Sequence, residues 1–430
     1  MQDPRRAVPR TDVVLSDDRI AGAAARLGPE VVKSAVVAAL ARCRAGELDP
    51  SAVVVEVLQT LPPAAASLRQ VINATGVVVH TNLGRAPLSK AAQDALLLAA
   101  GATDLELDLR TGRRGRRGHG ALEALARATP DAEDVLVVNN GAAALSLVAH
   151  ALAAGREVIV ARGEMVEIGD GFRIPELLAA SGAVLREVGT TNRVRLDDYT
   201  SAITDSTALV LKVHPSNFVV SGFTASVPVA ELAALPVPLV VDIGSGLLAP
   251  HARLPDEPDA ATTLKAGAAL VTASADKLLG GPQAGLVLGQ AELVQRLRRD
   301  PLARSLRVDK LTLAALEATL VGPVPPVARA LARDQQGLLV RAQAICDDLA
   351  DVVHAEPVAT SAVIGGGGAP GVELASAAIA LPAGLAAGLR DGTPAVMGHV
   401  AHGRLLLDLV AVEPEHDALL TEAVRRAAKD

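Results

Sequence analysis

Aromatic side chains are nearly missing from this 430-residue chain: it has one Tyr, three Phe and no Trp. Its interior must therefore be built from Ala, Val and Leu, and recognition of nucleic acid through stacked aromatics is disfavoured. Cysteine is almost as scarce. Cys43 and Cys346 are far apart and match no metal spacing, so the reading is free thiols in a reducing cytoplasm, with no metal. A basic surplus is lacking too. The net charge is −7, so any contact with RNA must rest on a local patch. The opening MQDPRRAVPRTD has no apolar core segment, and runs such as 34–41 are too short to span a bilayer, so neither a signal peptide nor a membrane partner is expected.

Half of the residues are apolar, and the length exceeds what one hydrophobic core serves, so two or three domains are expected. Residues 1–12 read as a flexible start. Residues 17–60 read as helices, the first capped by Ser16 or Asp17. Pro62 and Pro63 close this block. Beyond residue 70, short Val/Leu/Ile runs at 135–138, 157–161, 184–188, 209–213, 239–243, 270–273 and 286–289 alternate with helical stretches such as 141–154 and 174–181. Runs without polar alternation are the mark of strands buried on both faces, and strand–helix alternation implies a mostly parallel, doubly wound α/β sheet. Past Pro323 a long helix over 327–348 leads into a small α+β region with a glycine run at 365–368 and strands at 395–399 and 404–409. The expected division is a helical domain over 1–65, a large α/β domain over 66–322 and a small α+β domain over 323–430.

Lys277 lies in TASADKLLGGPQAG, directly after a buried-type strand. A lysine shielded from water at a strand end has a lowered pKa and is nucleophilic enough to form an imine with an aldehyde cofactor; a lone turn lysine is more commonly just solvated. Asp242 ends the strand in LVVDIGSG, 35 residues earlier. A buried carboxylate there suits the protonated ring nitrogen of pyridoxal phosphate, with a cap on the following loop as its alternative role. In NNGAAALS, Asn140, Gly141 and Ala142 open a helix whose backbone N–H groups and dipole suit a phosphate. Ser274 adds a hydroxyl, and His214, directly after the strand at 209–213, is a further candidate contact to the cofactor. Arg85, Arg304 and Arg307 suit an oxyanion. The spacing of the last two places both on one helix face, which is equally the mark of a solvated face. The run RTGRRGRRGHG, with Arg110, Arg113, Arg114, Arg116 and Arg117, reads as a loop that grips phosphates or is simply exposed.

These motifs resemble bacterial selenocysteine synthase, the L-seryl-tRNA(Sec) selenium transferase family. The resemblance runs over most of the chain, through RQVINATGVVVHTNLGRAPLS, DLELDLRTGRRG, VLVVNNGAAAL, EVGTTNRV, DIGSG, ADKLLGGPQAG, SLRVDKLTLAALEATL and PGVELAS. It implies an aminotransferase-like, fold-type I architecture. It also implies pyridoxal 5′-phosphate on Lys277, an acidic neighbour at Asp276, and selenophosphate held by Arg85, Arg304 and Arg307. The implied reaction turns seryl-tRNA(Sec) into selenocysteinyl-tRNA(Sec) through a dehydroalanyl intermediate. Residues 1–65 would contact the tRNA, and the chain would assemble into a decamer built from dimers. Two stretches depart from the family pattern: GHGALEAL lacks a tyrosine, and GHVAHGRLLLDL lacks the usual acidic lead-in. A lyase or transferase acting on a small phosphorylated amino acid is the alternative enzyme. A non-catalytic RNA-binding or assembly protein is the alternative of another class.

Overall fold

The computed structural model describes residues 7–169 and 171–429. By contact density the chain separates into two compact units, residues 1–71 with 393–395, and the remainder. The first unit packs the helices Thr11–Leu15, Asp18–Leu27, Pro29–Ala45 and Val53–Thr60 around Val14, Ile20, Leu27, Val32, Val36, Leu40, Val53 and Val57. Helix already begins at Thr11, inside the stretch expected to be flexible; residues 1–6 of that stretch lie outside the described residues. Asp17 caps the second helix, its carboxylate accepting from the Arg19 N–H, while Ser16 ends the first. Gly28, at φ +92°, joins the second helix to the third, whose first residue is Pro29.

The second unit is built on a seven-stranded sheet: β1 (Asp134–Val138), β2 (Glu157–Ala161), β3 (Val184–Val188), β4 (Thr207–Val213), β5 (Leu239–Gly244), β6 (Leu270–Ser274) and β7 (Gly285–Gly289). Their order across the sheet is β1-β7-β6-β5-β4-β2-β3. All pairings are parallel except those of β7, which runs antiparallel to both β6 and β1. These are the seven apolar runs of the sequence, each extended by at most two residues. The central ones read as unbroken apolar stretches because both faces are covered. Leu239, Val241 and Ile243 of β5 enter one core, Val240 the other.

Register brings polar residues to the carboxyl edge. Val213 pairs with Asp242, Asp242 with Thr272, Ser274 with Gly285, and Gly285 with Val138. In open parallel sheets that edge is where ligands bind.

A second sheet, of five strands, holds Val77–Val79, β8 (Glu356–Gly365), β9 (Glu373–Pro382), β10 (His399–Ala401) and β11 (Arg404–Asp408), in the order β10-β11-β9-β8 and then Val77–Val79. Helix Gln335–Leu349 packs Leu338, Ala342, Ile345 and Leu349 against Ala377, Ile379 and Leu381 of β9. The single helix expected over 327–348 is in fact two, Pro326–Ala332 and Gln335–Leu349. The break falls where Asp334 turns its carboxylate onto the Gly337 N–H and caps a new helix. The stretch Lys310–Ala332 is long and apolar enough by composition to cross a membrane. It is two helices, Lys310–Val321 and Pro326–Ala332, that bury Leu313, Leu316, Val327 and Leu331 in the protein's own cores.

Candidate active site

Asp242 lies two residues before the end of β5, at 7% exposure. Its Oδ1 accepts the Thr272 hydroxyl at 2.8 Å, and its backbone carbonyl accepts the His214 N–H at 2.9 Å. Burial pushes the Asp242 carboxyl above the ordinary carboxylate range. The Thr272 hydrogen bond, the charge of Lys277, the Gly244 N–H and His214 pull the other way.

Lys277 stands in the reversal between β6 and β7. That turn is pinned by the Ala275 N–H to the Ala284 carbonyl at 2.9 Å and by the Leu278 N–H to the Ser245 carbonyl at 2.9 Å. The glycine strap faces the side chain: a Cβ on Gly367 would lie 2.5 Å from Lys277 Cε and 2.7 Å from Nζ, and its φ of +92° favours glycine there. Loss of water holds the amine below the ordinary lysine range, against the opposing charges of Asp242, Asp276 and Glu257. A larger share of Lys277 is therefore in the unprotonated, nucleophilic form than in a solvated lysine.

The third element is the junction of β1 and helix Gly141–Ala153. Asn140 caps that helix, its Oδ1 accepting the Ala143 N–H at 2.8 Å. A Cβ on Gly141 would sit 2.7 Å from Ser274 Oγ, so the hydroxyl of β6 lies directly against the helix start. Asn140, Gly141, Ala142, His214, Asp242, Ser274, Lys277 and Arg85 all line one cavity of about 230 Å³, together with Gln283 and Ser216.

Arg85 reaches this cavity from a strained backbone, at φ +64°, held by its N–H to the His80 carbonyl at 3.0 Å. Its Nη1 donates to Asp276 Oδ2 at 2.7 Å. Asp276 therefore engages Arg85 rather than lining the cavity.

Arg304 and Arg307 lie elsewhere, and not on one helix face as the spacing predicts. Helix Pro301–Ser305 ends before Arg307, which stands in the extended segment that follows. Arg307 shares Glu106 with Arg114 and Arg117, at 3.9, 2.9 and 3.2 Å. The positive charge of Arg117, then burial and Arg304, lowers the Arg307 pKa, while Glu106 opposes. The segment is tied to the phosphate-type turn by the Asn139 N–H donating to the Leu306 carbonyl at 2.9 Å. The arginine run forms a short hairpin, Leu107–Asp108 against Arg113–Arg114.

Sequence reasoning missed Thr272, Gln283 and Glu257. Thr272 had a usable signal, two positions before Ser274 and on the same strand. Glu257, in the proline-rich loop LPDEPD, had none.

Comparison with known proteins agrees with this geometry. The family described as L-seryl-tRNA selenium transferase matches residues 71–413, and the selenocysteine synthase N-terminal family matches residues 5–44. The L-seryl-tRNA(Sec) selenium transferase of Carboxydothermus hydrogenoformans is 43% identical over 378 residues, covering 83% of this chain and 80% of that protein. That of Geobacter sulfurreducens is 41% identical over 457 residues, covering 98% of each. Among solved structures, D-glucosaminate-6-phosphate ammonia-lyase superposes with a TM-score of 0.58 at 20% identity, covering 84% of this chain and 96% of that one, a likeness of fold. The fold is the aminotransferase-like fold type I, and with these matches along its length the chain belongs to the L-seryl-tRNA selenium transferase family.

Proposed function

We propose that this protein is the pyridoxal-phosphate-dependent enzyme that converts L-seryl-tRNA(Sec) to selenocysteinyl-tRNA(Sec) with selenophosphate. The observation that carries the reading is the opening of Lys277, Asp242 and the Asn140–Gly141 helix start onto one cavity. The residues fit the cofactor by their chemistry. A desolvated amine suits an aldehyde, and a buried carboxylate suits a ring N–H. A helix start with no Cβ at Gly141 and a hydroxyl beside it suits a phosphate. Lys277 would bind the cofactor covalently, Asp242 would hold the ring nitrogen protonated, and Asn140, Gly141, Ala142 and Ser274 would take the phosphate. When bound, pyridoxal phosphate supplies the electron sink that acidifies the seryl α-carbon.

The chain supplies the proton chemistry. Lys277 Nζ, freed when the seryl amino group takes its place and kept partly unprotonated by desolvation, would take the α-proton and return a proton to the departing β-hydroxyl, which leaves as water. Selenium would then bond to the β-carbon, the α-carbon would regain a proton from Lys277, and water would cleave the phosphorus–selenium bond to release phosphate. Asp276 orients Arg85 at the cavity, where Arg85 would hold selenophosphate, with Arg304 and Arg307 contributing only from outside the cavity, which they do not line. We assign tRNA binding to residues 1–65, the cofactor to 66–322 and a small supporting domain to 323–430, in a cytoplasmic homo-oligomer, a decamer built from dimers.

The direct test is conversion of seryl-tRNA(Sec) with selenophosphate, with seryl-tRNA(Ser) as control. Product from neither substrate, or equal product from both, overturns the reading. Lys277→Ala should lose both turnover and the visible absorbance of the bound cofactor.

A further inference from the structure

Glu257 is a buried carboxylate that the reaction above does not use. Its side chain is 1% exposed, it carries no ion pair with Arg or Lys among the described residues, and its loop forms neither helix nor strand. One oxygen, Oε2, makes two contacts from different parts of the fold. It lies 3.2 Å from His214 Nε2 and accepts the Ala369 N–H at 2.7 Å. The other, Oε1, is buried without a partner.

Both contacts lead to the cofactor cavity. His214 lines that cavity and also a second cavity of about 620 Å³. Ala369 directly follows the glycine run 365–368, in which Gly367 crowds the Lys277 side chain and a Cβ on Gly368 would lie 3.0 Å from Leu278. A carboxylate has only acceptor oxygens when ionised, so a short contact to a ring nitrogen fixes the imidazole proton on that nitrogen. With the proton on Nε2, Nδ1 is left as the acceptor of the ring.

We propose that Glu257 is a positioning residue of the active site: it sets the tautomer of His214, which lines the cavity, and anchors the glycine strap that faces Lys277. The desolvation of an otherwise idle carboxylate is thereby offset by two hydrogen bonds, one to the cavity-lining ring and one to the end of that strap. The inference rests on the cofactor reading given above.

The test is a double-mutant cycle on the full-length protein, reading the pyridoxal phosphate dissociation constant and the absorption spectrum of the bound cofactor. Glu257→Ala should weaken cofactor binding about tenfold to a hundredfold, the range for losing a hydrogen bond to a charged group, and shift the visible band. Glu257→Gln, whose carbonyl can still accept from both donors, should recover most of the affinity and so separates loss of position from loss of fold. With His214→Ala already present, Glu257→Ala should cost much less, because part of its effect runs through the ring. An unchanged dissociation constant and spectrum in Glu257→Ala overturns the inference, as does an equal loss with and without His214. If the wild-type chain itself binds no pyridoxal phosphate, the cofactor reading fails instead.

Discussion

Replacing Gly141 with Ala is the sharpest probe of the proposed phosphate cradle. The added Cβ would stand 2.7 Å from Ser274 Oγ, well inside the 3.4 Å at which ordinary contact begins. The obstacle is a hydroxyl, which can swing to another staggered rotamer, while the Gly141 backbone, whose φ is not positive, accepts alanine without strain. The fold should therefore survive, and Ser274 should turn out of the cavity it lines. Losing one hydroxyl contact to a charged phosphate costs about 1.5–3 kcal/mol, or about tenfold to a hundredfold in the cofactor dissociation constant. Ser274→Ala alone should cost about the same. The double variant should be no worse than Ser274→Ala, since alanine at 274 removes the clashing oxygen as well as the contact. Titration of the apoprotein with pyridoxal phosphate, followed by absorbance, gives all three constants. Additive losses in the double variant would refute the reasoning, because the methyl itself would then be blocking the site.

Lys277→Met should raise the thermal midpoint of the cofactor-free protein at neutral pH, since it removes a desolvated amine. The folded pKa is lowered, so the unfolded chain holds more protons between that value and the ordinary 10.5; the gain should be greatest below this window and vanish above 10.5 in a pH series of melting curves. Arg298→Ala breaks a two-pronged contact to Asp134 at 2.7 and 2.9 Å that ties helix Ala291–Arg299 to the start of β1, and should cost about 1–2 kcal/mol at pH 7 by denaturant titration. Arg298 holds the Asp134 carboxyl below its ordinary 3.8, so this stability is present above 3.8 and the difference between variant and wild type should close as the pH falls through the depressed value. Thr272→Val removes the hydroxyl that steadies the Asp242 carboxylate, so cofactor affinity should fall about threefold to tenfold, for a loss near 1 kcal/mol; unchanged affinity would remove Thr272 from the site.

The large sheet was legible because burial on both faces writes itself into composition. β1, β2 and β4 to β7 are Val/Leu/Ile-rich runs between polar or glycine-rich turns, whereas the edge strand β3, VLREV, is mostly exposed and carries Arg186 and Glu187. The candidate cofactor residues were legible for a related reason. Asp242, Ser274 and Lys277 sit at or just beyond strand ends, where a polar residue interrupts an apolar run. The helix at 327–348 was misread because the apolar period continues through Arg333 and Asp334, although the Asp334 cap restarts the backbone. The pairing of Arg304 with Arg307 failed because spacing on a helix means nothing once the helix has ended at Ser305.

By itself, the sequence determined the mostly parallel sheet, the order of the Asn140–Gly141 turn, carboxylate and lysine along it, and the family to which those motifs belong. Local composition and hydrogen-bonding capacity suffice for these. Only the tertiary structure decided which side chains meet: that Arg85 binds Asp276 beside Lys277, that Arg307 instead joins the group around Glu106, and that Glu257 touches both His214 and the backbone of Ala369. Those contacts join residues more than a hundred positions apart in several cases. They depend on strand register and on loops crossing the sheet edge, which no local pattern encodes.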